Sequence, residues 1–344
     1  CMIFVEMPPA DLRLAPFPYL RPDQLPGLIN AAHWYDQITL FSKTYIASFS
    51  WDVQRGKPAI GQGAVFRMKV RQLQELLDIS TEKMGSVPTL IGECGVPYNL
   101  NGSEAYRHDD WRAALRAMDA TVSALEECSL PYALWCYTSD HTVEWGDGWN
   151  KEDLSIFSPS LCSPDSSDPL AGGRALHAIA RPFAPRTTGK VLHARFDMGH
   201  RRFALCIEGS RPNEQKQALE REQRAGSLLS STHDKDESAT HDKDESMTRK
   251  SSGDQASKYM HHHPRHMPTE IYVPLFQYPN GFRAFVSGGS VEEMTLATPL
   301  PPYTSHPFMV LAWTPPADSS RHLLLLEPSP VLPAVGGARA STQG

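Results

Sequence analysis

Pro88-Thr89-Leu90-Ile91-Gly92-Glu93-Cys94-Gly95 is an apolar run that ends on a carboxylate held between two glycines. A short apolar run closed by glycine reads as a buried strand. Glycine on either side of Glu93 lets another backbone or a ligand come close. Upstream, residues 3–6 and 27–36 are two more strand-like runs, and residues 64–79 carry Val65, Phe66, Val70, Leu73, Leu76 and Leu77 on the stripe of an amphipathic helix. Downstream, residues 109–127 put Trp111, Ala114, Leu115, Met118, Val122 and Leu125 on one helical face, with Asp109 or Asp110 suited to the N-cap. Residues 131–137 form a fourth strand and residues 172–180 a closing helix. Strand and helix alternating in this order predict a parallel α/β sheet over residues 1–185.

After Pro185 the pattern changes. Residues 190–196, 202–207, 270–277, 283–287, 308–313 and 323–326 are short strand candidates parted by Gly, Pro and Asn, without a helical period. An antiparallel β-sandwich over residues 186–335 is the natural reading. Residues 211–266 interrupt it with ten basic and ten acidic residues, a density that cannot bury a core. There Thr232-His233-Asp234-Lys235-Asp236-Glu237-Ser238 returns as Thr240-His241-Asp242-Lys243-Asp244-Glu245-Ser246, so the stretch reads as a disordered low-complexity insertion.

With 344 residues, 40% apolar and 21% charged, the chain is long enough for two domains and ordinary for a globular protein. Its apolar runs fall far short of the ~18–20 residues that span a bilayer. A net charge of −6 leaves no electrostatic footprint for nucleic acid. The six cysteines show neither CxxC nor zinc-ligand spacing and read as reduced, mostly buried thiols. Cys1-Met2-Ile3-Phe4-Val5-Glu6 already looks like a buried strand, so the chain is expected to begin inside a domain. No amphipathic membrane anchor is legible.

Chemistry concentrates at the strand ends. A carboxylate such as Glu93 at the C-terminal end of a parallel strand is either catalytic or a salt-bridged structural group. His33 and Tyr35 are two apart, so in a strand both point to one face. A tyrosine hydroxyl on that face can hold a carboxylate ionised and oriented, as a nucleophile requires. Trp135 and Tyr137 repeat the spacing in the fourth strand, which leads through Asp140 and His141 into Trp145-Gly146-Asp147-Gly148-Trp149-Asn150. Two indoles among glycines and polar side chains make a poor core but suit a sugar, whose C–H faces stack on aromatic planes while its hydroxyls meet Asp, Asn and His.

These stretches, His33-Trp34-Tyr35, Gly92-Glu93-Cys94-Gly95 and the run from Leu134-Trp135-Cys136-Tyr137 to Asp153-Leu154-Ser155, resemble glycoside hydrolase family 5, in particular its fungal endoglycoceramidase-related glucosidases. The resemblance implies the C-terminal half of a (β/α)8 TIM barrel, strands five to eight, followed by a β-sandwich. It implies a retaining hydrolase that cleaves the β-glucosidic bond of a glycolipid, glucosylceramide or a steryl β-glucoside. Glu93 would be the nucleophile, oriented by Tyr35 with His33 beside it. Trp135, Asp140, His141, Trp145, Asp147, Trp149 and Asn150 would bind substrate. Two carboxylates suffice for this chemistry, so neither cofactor nor metal is called for. The partners implied are the glycolipid and, through it, peripheral contact with a membrane, with no obligate protein partner. An intracellular setting, cytoplasm or vacuole, is implied by the resemblance alone.

The sequence departs from the family where the acid/base glutamate should follow an asparagine at the end of strand four. Glu6 follows Val5 and falls one strand too late, which favours a structural or substrate-contacting role. A barrel takes ~250 residues, so this chain is read as the C-terminal part of a longer enzyme. Alone it is expected to fold poorly, with exposed sheet edges, and to hydrolyse negligibly. A non-catalytic glycolipid-binding remnant is the alternative. A Cys94–His33 hydrolase is disfavoured because the neighbouring carboxylate raises a thiol's pKa. His261-His262-His263 and His266 lie in the low-complexity tract and suggest only adventitious metal binding.

Overall fold

The structure is a computed structural model that describes residues 1–6, 17–163, 166, 168, 170–209, 268–294, 296, 307–318 and 320–330. The low-complexity tract at 211–266, with its histidines, lies outside the described residues.

The first part is built on four parallel strand lines in sequence order. β1 (Ile3–Val5) pairs with β2 (Leu28–Asn30) in parallel. Beyond β2 the chain stays in line with the next strand through parallel bridges at Asn30–Thr89 and His33–Glu93. Backbone bonds from Gly92 to Ala32 and from Trp34 to Glu93, at 3.0 and 2.9 Å, continue that ladder. β3 (Phe49–Asp52) and β4 (Lys57–Ile60) form an antiparallel hairpin after the short helix α1 (Gln37–Ser42). The long helix α2 (Gln62–Lys83) then leads to β5 (Ile91–Cys94). The helical segment α3 (Leu100–His108) and helix α4 (Arg112–Glu127) connect β5 to β6 (Tyr132–Leu134), which lies parallel to it.

Leu73 and Leu76 of α2 and Ala124 and Leu125 of α4 pack with Ala32, Trp34, Ile91 and Cys94, so both helices cover the sheet with the stripes their periodicity marks. The strand at 3–6 was expected to be buried, but Met2, Ile3 and Phe4 are exposed because β1 has a partner on one side only among the described residues. The N-cap of α4 is Trp111, whose side chain makes no capping bond to the helix. Asp109 instead closes α3 in a left-handed conformation, and Asp110 accepts from the Arg112 N–H and guanidinium.

The second part follows α5 (Leu176–Ile179). β7 (Phe183–Arg186) runs across the boundary expected at 185 and belongs to an antiparallel sheet with β10 (Thr269–Pro274). The remaining strands are β8 (Lys190–Asp197), β9 (Arg202–Glu208), β11 (Phe282–Val286), β12 (Ser290–Glu293), β13 (Phe308–Thr314) and β14 (Arg321–Pro328). They form two four-stranded sheets, ordered β12-β13-β10-β7 and β11-β14-β9-β8. Alternate residues of the two sheets share one core, with Phe203, Leu205, Ile207, Leu324 and Leu326 from one meeting Ile271, Val273, Leu311 and Trp313 from the other.

Arg181 ties the two parts together. Its guanidinium bonds Asp119 at 2.5 Å and Glu126 at 3.2 Å on α4, and Glu126 in turn accepts the N–H of Phe196 on β8 at 3.1 Å. Among the described residues, no helix is long and apolar enough to cross a membrane.

Candidate functional site

Alternation along a strand sends His33 and Tyr35 to one face and Trp34 to the other. Trp34 is buried against α2, its indole N–H donating to Gln72 at 3.2 Å with the Lys69 ammonium 5.6 Å from its ring. On the opposite face the Tyr35 hydroxyl donates to Glu93 Oε2 at 3.0 Å. His33 Nδ1 lies 3.1 Å from that same oxygen and 3.0 Å from Glu6 Oε1. A nitrogen facing two carboxylates acts as donor, so the ring carries its hydrogen on Nδ1. Three adjacent strand lines therefore deliver Glu6, His33 with Tyr35, and Glu93 to one spot.

Two glycines make room for this cluster. A Cβ at Gly92 would lie 3.0 Å from the Ala31 carbonyl and 3.2 Å from the His33 ring, and one at Gly95 only 2.2 Å from the Trp135 carbonyl. Any side chain at Gly95 would part β5 from the strand that carries Trp135. The Trp135 N–H donates to Cys94 O at 2.8 Å, and its indole N–H to Glu152 at 3.1 Å. Trp135 remains 36% exposed, and the Trp135–Cys136 peptide is cis.

Burial first, and then the charge of Glu93, push the Tyr35 hydroxyl far above the usual phenol range. It stays protonated and keeps donating. Burial and then the same neighbouring charge push the Cys94 thiol up to about 12. That removes the thiolate a cysteine nucleophile would need.

The following loop is placed differently from its expected role. His141 is fully buried, with Nε2 2.8 Å from Asp153 Oδ1 and Nδ1 2.8 Å from Ser158 Oγ. The Asp147 carboxylate accepts the N–H groups of Leu154 and Ser155 at 2.6 and 3.1 Å. Both side chains are consumed in holding the loop and do not face outward for a ligand, because a loop this rich in glycine must satisfy its own buried backbone groups. Asp140, Trp145, Trp149 and Asn150 are exposed. Among the described residues, no hydrogen bond joins any of them to Glu93.

Arg174 completes the loop's anchor. It donates to Asp153 Oδ1 at 2.6 Å, to Tyr106 at 2.5 Å and to the Ser155 carbonyl at 2.7 Å, and lies over the Tyr98 ring. His141, Asp147 and Asp153 have the proximity of a metal site. Their donor set does not fit one, because Asp153 already serves the guanidinium and Asp147 serves backbone amides. Arg174 and Tyr106 had no signal in the sequence, since neither spacing nor pattern links them to Asp153. Glu152, the partner of Trp135, was equally hidden among loop acids.

Residues 181–298 match the family model described as the glycoside hydrolase family 5 C-terminal domain. The chain is 35% identical over 186 residues to a glucosylceramidase of Cryptococcus neoformans var. grubii, an alignment that takes in 50% of this chain and 25% of that protein. It is 28% identical over 249 residues to the ergosteryl-beta-glucosidase of Saccharomyces cerevisiae, covering 54% of this chain and 33% of that one. In fold it is similar to the crystal structure of Cryptococcus neoformans sterylglucosidase 1, with a TM-score of 0.67 at 24% identity, over 95% of this chain and 42% of that one. The chain thus spans a quarter to a third of these two curated relatives. Over residues 181–298 the chain is thus similar to glycoside hydrolase family 5 C-terminal domains, and over about half its length to fungal proteins named glucosylceramidase and ergosteryl-beta-glucosidase.

Proposed function

We propose that this chain supplies strands five to eight of a (β/α)8 glycosidase barrel together with its C-terminal β-sandwich. In this reading the whole protein hydrolyses the β-glucosidic bond of a glycolipid with retention. The four parallel strand lines in sequence order, with their chemistry at the C-terminal ends, support the barrel. The names of the relatives support the substrate class.

The observation that carries the reading is the environment of one oxygen. Glu93 Oε2 faces both the Tyr35 hydroxyl and His33 Nδ1, two donors that hold the carboxylate in place and aimed. Glu93 attacks the anomeric carbon as the aglycone oxygen takes a proton from an acid. The resulting glycosyl ester is then opened by water, activated by the same residue as base. Trp135 supports the sugar ring through its exposed indole face.

The acid/base carboxylate is assigned to sequence outside this chain. Glu6 is not given the role, because the His33 nitrogen already engages its carboxylate at 3.0 Å and it ends the strand line next to His33's, one strand later than the resemblance places the acid/base. In this reading the chain by itself has negligible turnover.

The test is turnover of glucosylceramide and steryl β-glucoside by the protein that includes the sequence upstream of this chain, with trapping by a 2-deoxy-2-fluoroglucoside. The expected outcome is a covalent adduct on the peptide containing Glu93, and loss of turnover in Glu93→Gln. An adduct elsewhere, or near-normal rates in Glu93→Gln, would overturn the assignment.

A further inference from the structure

We propose that the hairpin formed by β3 and β4 is a docking surface for an anionic lipid bilayer, independent of the site at Glu93. Phe49 pairs with Ile60 and Trp51 with Pro58 across the antiparallel ladder, so all four side chains stand on one face of the ribbon. That face is turned to solvent, with Phe49 44%, Trp51 42% and Ile60 73% exposed. Ile46 before the hairpin and Val53 at its turn extend the apolar surface and are exposed too.

The other face accounts for why the ribbon holds this orientation. Ser50, Asp52 and Ala59 are buried. Ala59 packs with Val65 and Met68 of α2, and the Asp52 carboxylate is bonded to Arg71. The hairpin is therefore clamped to the helix by its small and polar residues and presents its large apolar ones outward, the reverse of what burial alone would select. An exposed apolar patch of this kind on a fixed element marks an interaction site.

Charge selects the occupant. Between Gln37 and Ile60 the ionisable side chains are Lys43, Arg55 and Lys57 with Asp52, and Asp52 is the one that is buried. Every exposed charge on the segment is positive, on a chain whose net charge is −6. Among the described residues no carboxylate lies within ion-pair distance of Lys43 or Lys57, and Arg55 reaches only Glu75 at 3.7 Å. Aromatic and aliphatic side chains on a segment whose exposed charges are lysine and arginine, with Lys57 opposite Asp52 on the ribbon's other face, suit the headgroup boundary of a membrane that carries anionic lipid.

The experiment is co-sedimentation of the chain, and of the protein with its upstream sequence, with vesicles of phosphatidylcholine alone or mixed with phosphatidylserine. Both proteins are expected to bind the mixed vesicles, more weakly as salt rises. Phe49→Ser with Ile60→Ser should weaken that binding by about tenfold or more, since the apolar contact is lost. Lys57→Glu should weaken it only on mixed vesicles. In the unmodified protein, amide exchange over residues 49–60 should slow when mixed vesicles are added, which reads the contact without any variant. Equal binding by the double variant, unchanged exchange in the hairpin, or failure of the longer protein to bind would each overturn the proposal. None of these readouts depends on hydrolysis, so the proposal and the glycosidase reading fail separately.

Discussion

The Tyr35 hydroxyl meets the Glu93 carboxylate at 3.0 Å, on the same oxygen that faces His33 Nδ1. Two residues apart on one strand line, and 60 and 58 positions from their target, His33 and Tyr35 converge on it because parallel neighbours place residues of equal height side by side. The convergence has measurable consequences.

Replacing Tyr35 with Phe removes a donor to an ionised oxygen, an interaction worth ~1.5–3 kcal/mol. In the whole protein Tyr35→Phe is expected to lower kcat by about ten- to a hundredfold with little change in KM, if the bond strengthens toward the transition state. Steady-state turnover of a steryl β-glucoside measures it. A kcat within about twofold of the unmodified protein would show that the hydroxyl only fills space.

Glu6→Gln separates positioning from acid catalysis. An acid/base residue protonates the leaving group, so its loss is forgiven by activated aryl glucosides that leave without a proton. Glu6 holds His33 at 3.0 Å, and its substitution should slow natural and activated substrates by the same factor. Recovery on the aryl glucoside alone would instead make Glu6 the acid.

Cys94 should be inert. With its thiol pushed up to about 12, iodoacetamide at mildly alkaline pH should label exposed Cys1 and leave Cys94 unmodified in the folded chain, as read by peptide mass mapping. The sign for stability follows from linkage. Below the ordinary value of 9.0 the thiol is protonated in both states, and between 9.0 and about 12 only the unfolded chain ionises. This group's contribution is therefore lost as pH rises through that window. Labelling of Cys94 at the rate of Cys1 would contradict the burial on which the argument rests.

Asp153→Ala strands Arg174 and His141 inside the loop without their acceptor. Removing one partner of a buried charge pair costs about 3–5 kcal/mol, so the urea midpoint should fall steeply. A change below about 1 kcal/mol would mean that water enters and replaces the carboxylate.

What could be read in advance followed from local periodicity. The stripe at Leu73 and Leu76 placed α2 against the sheet, and the two-residue step from His33 to Tyr35 put both on one face. Period and strand polarity are properties of the backbone itself, so a single chain displays them. The reading failed at His141 and Asp147, where polar residues in a glycine-rich loop look the same whether they bind a ligand or hold their own backbone. The hairpin was not read at all, because its Phe-Ser-Trp-Asp alternation does not say which face is covered.

The sequence alone determined the alternation of strands and helices, the antiparallel style after residue 185, the carboxylate at a strand end and the pair of side chains able to face it. Tertiary structure alone decided that Glu6 joins them through His33, that Arg174 claims Asp153, and that Phe49, Trp51 and Ile60 stand in solvent. The physical reason is range. Side-chain direction follows from dihedral angles a few residues long, whereas a partner across the fold is set by the packing of whole elements, which neighbouring residues in the chain do not record.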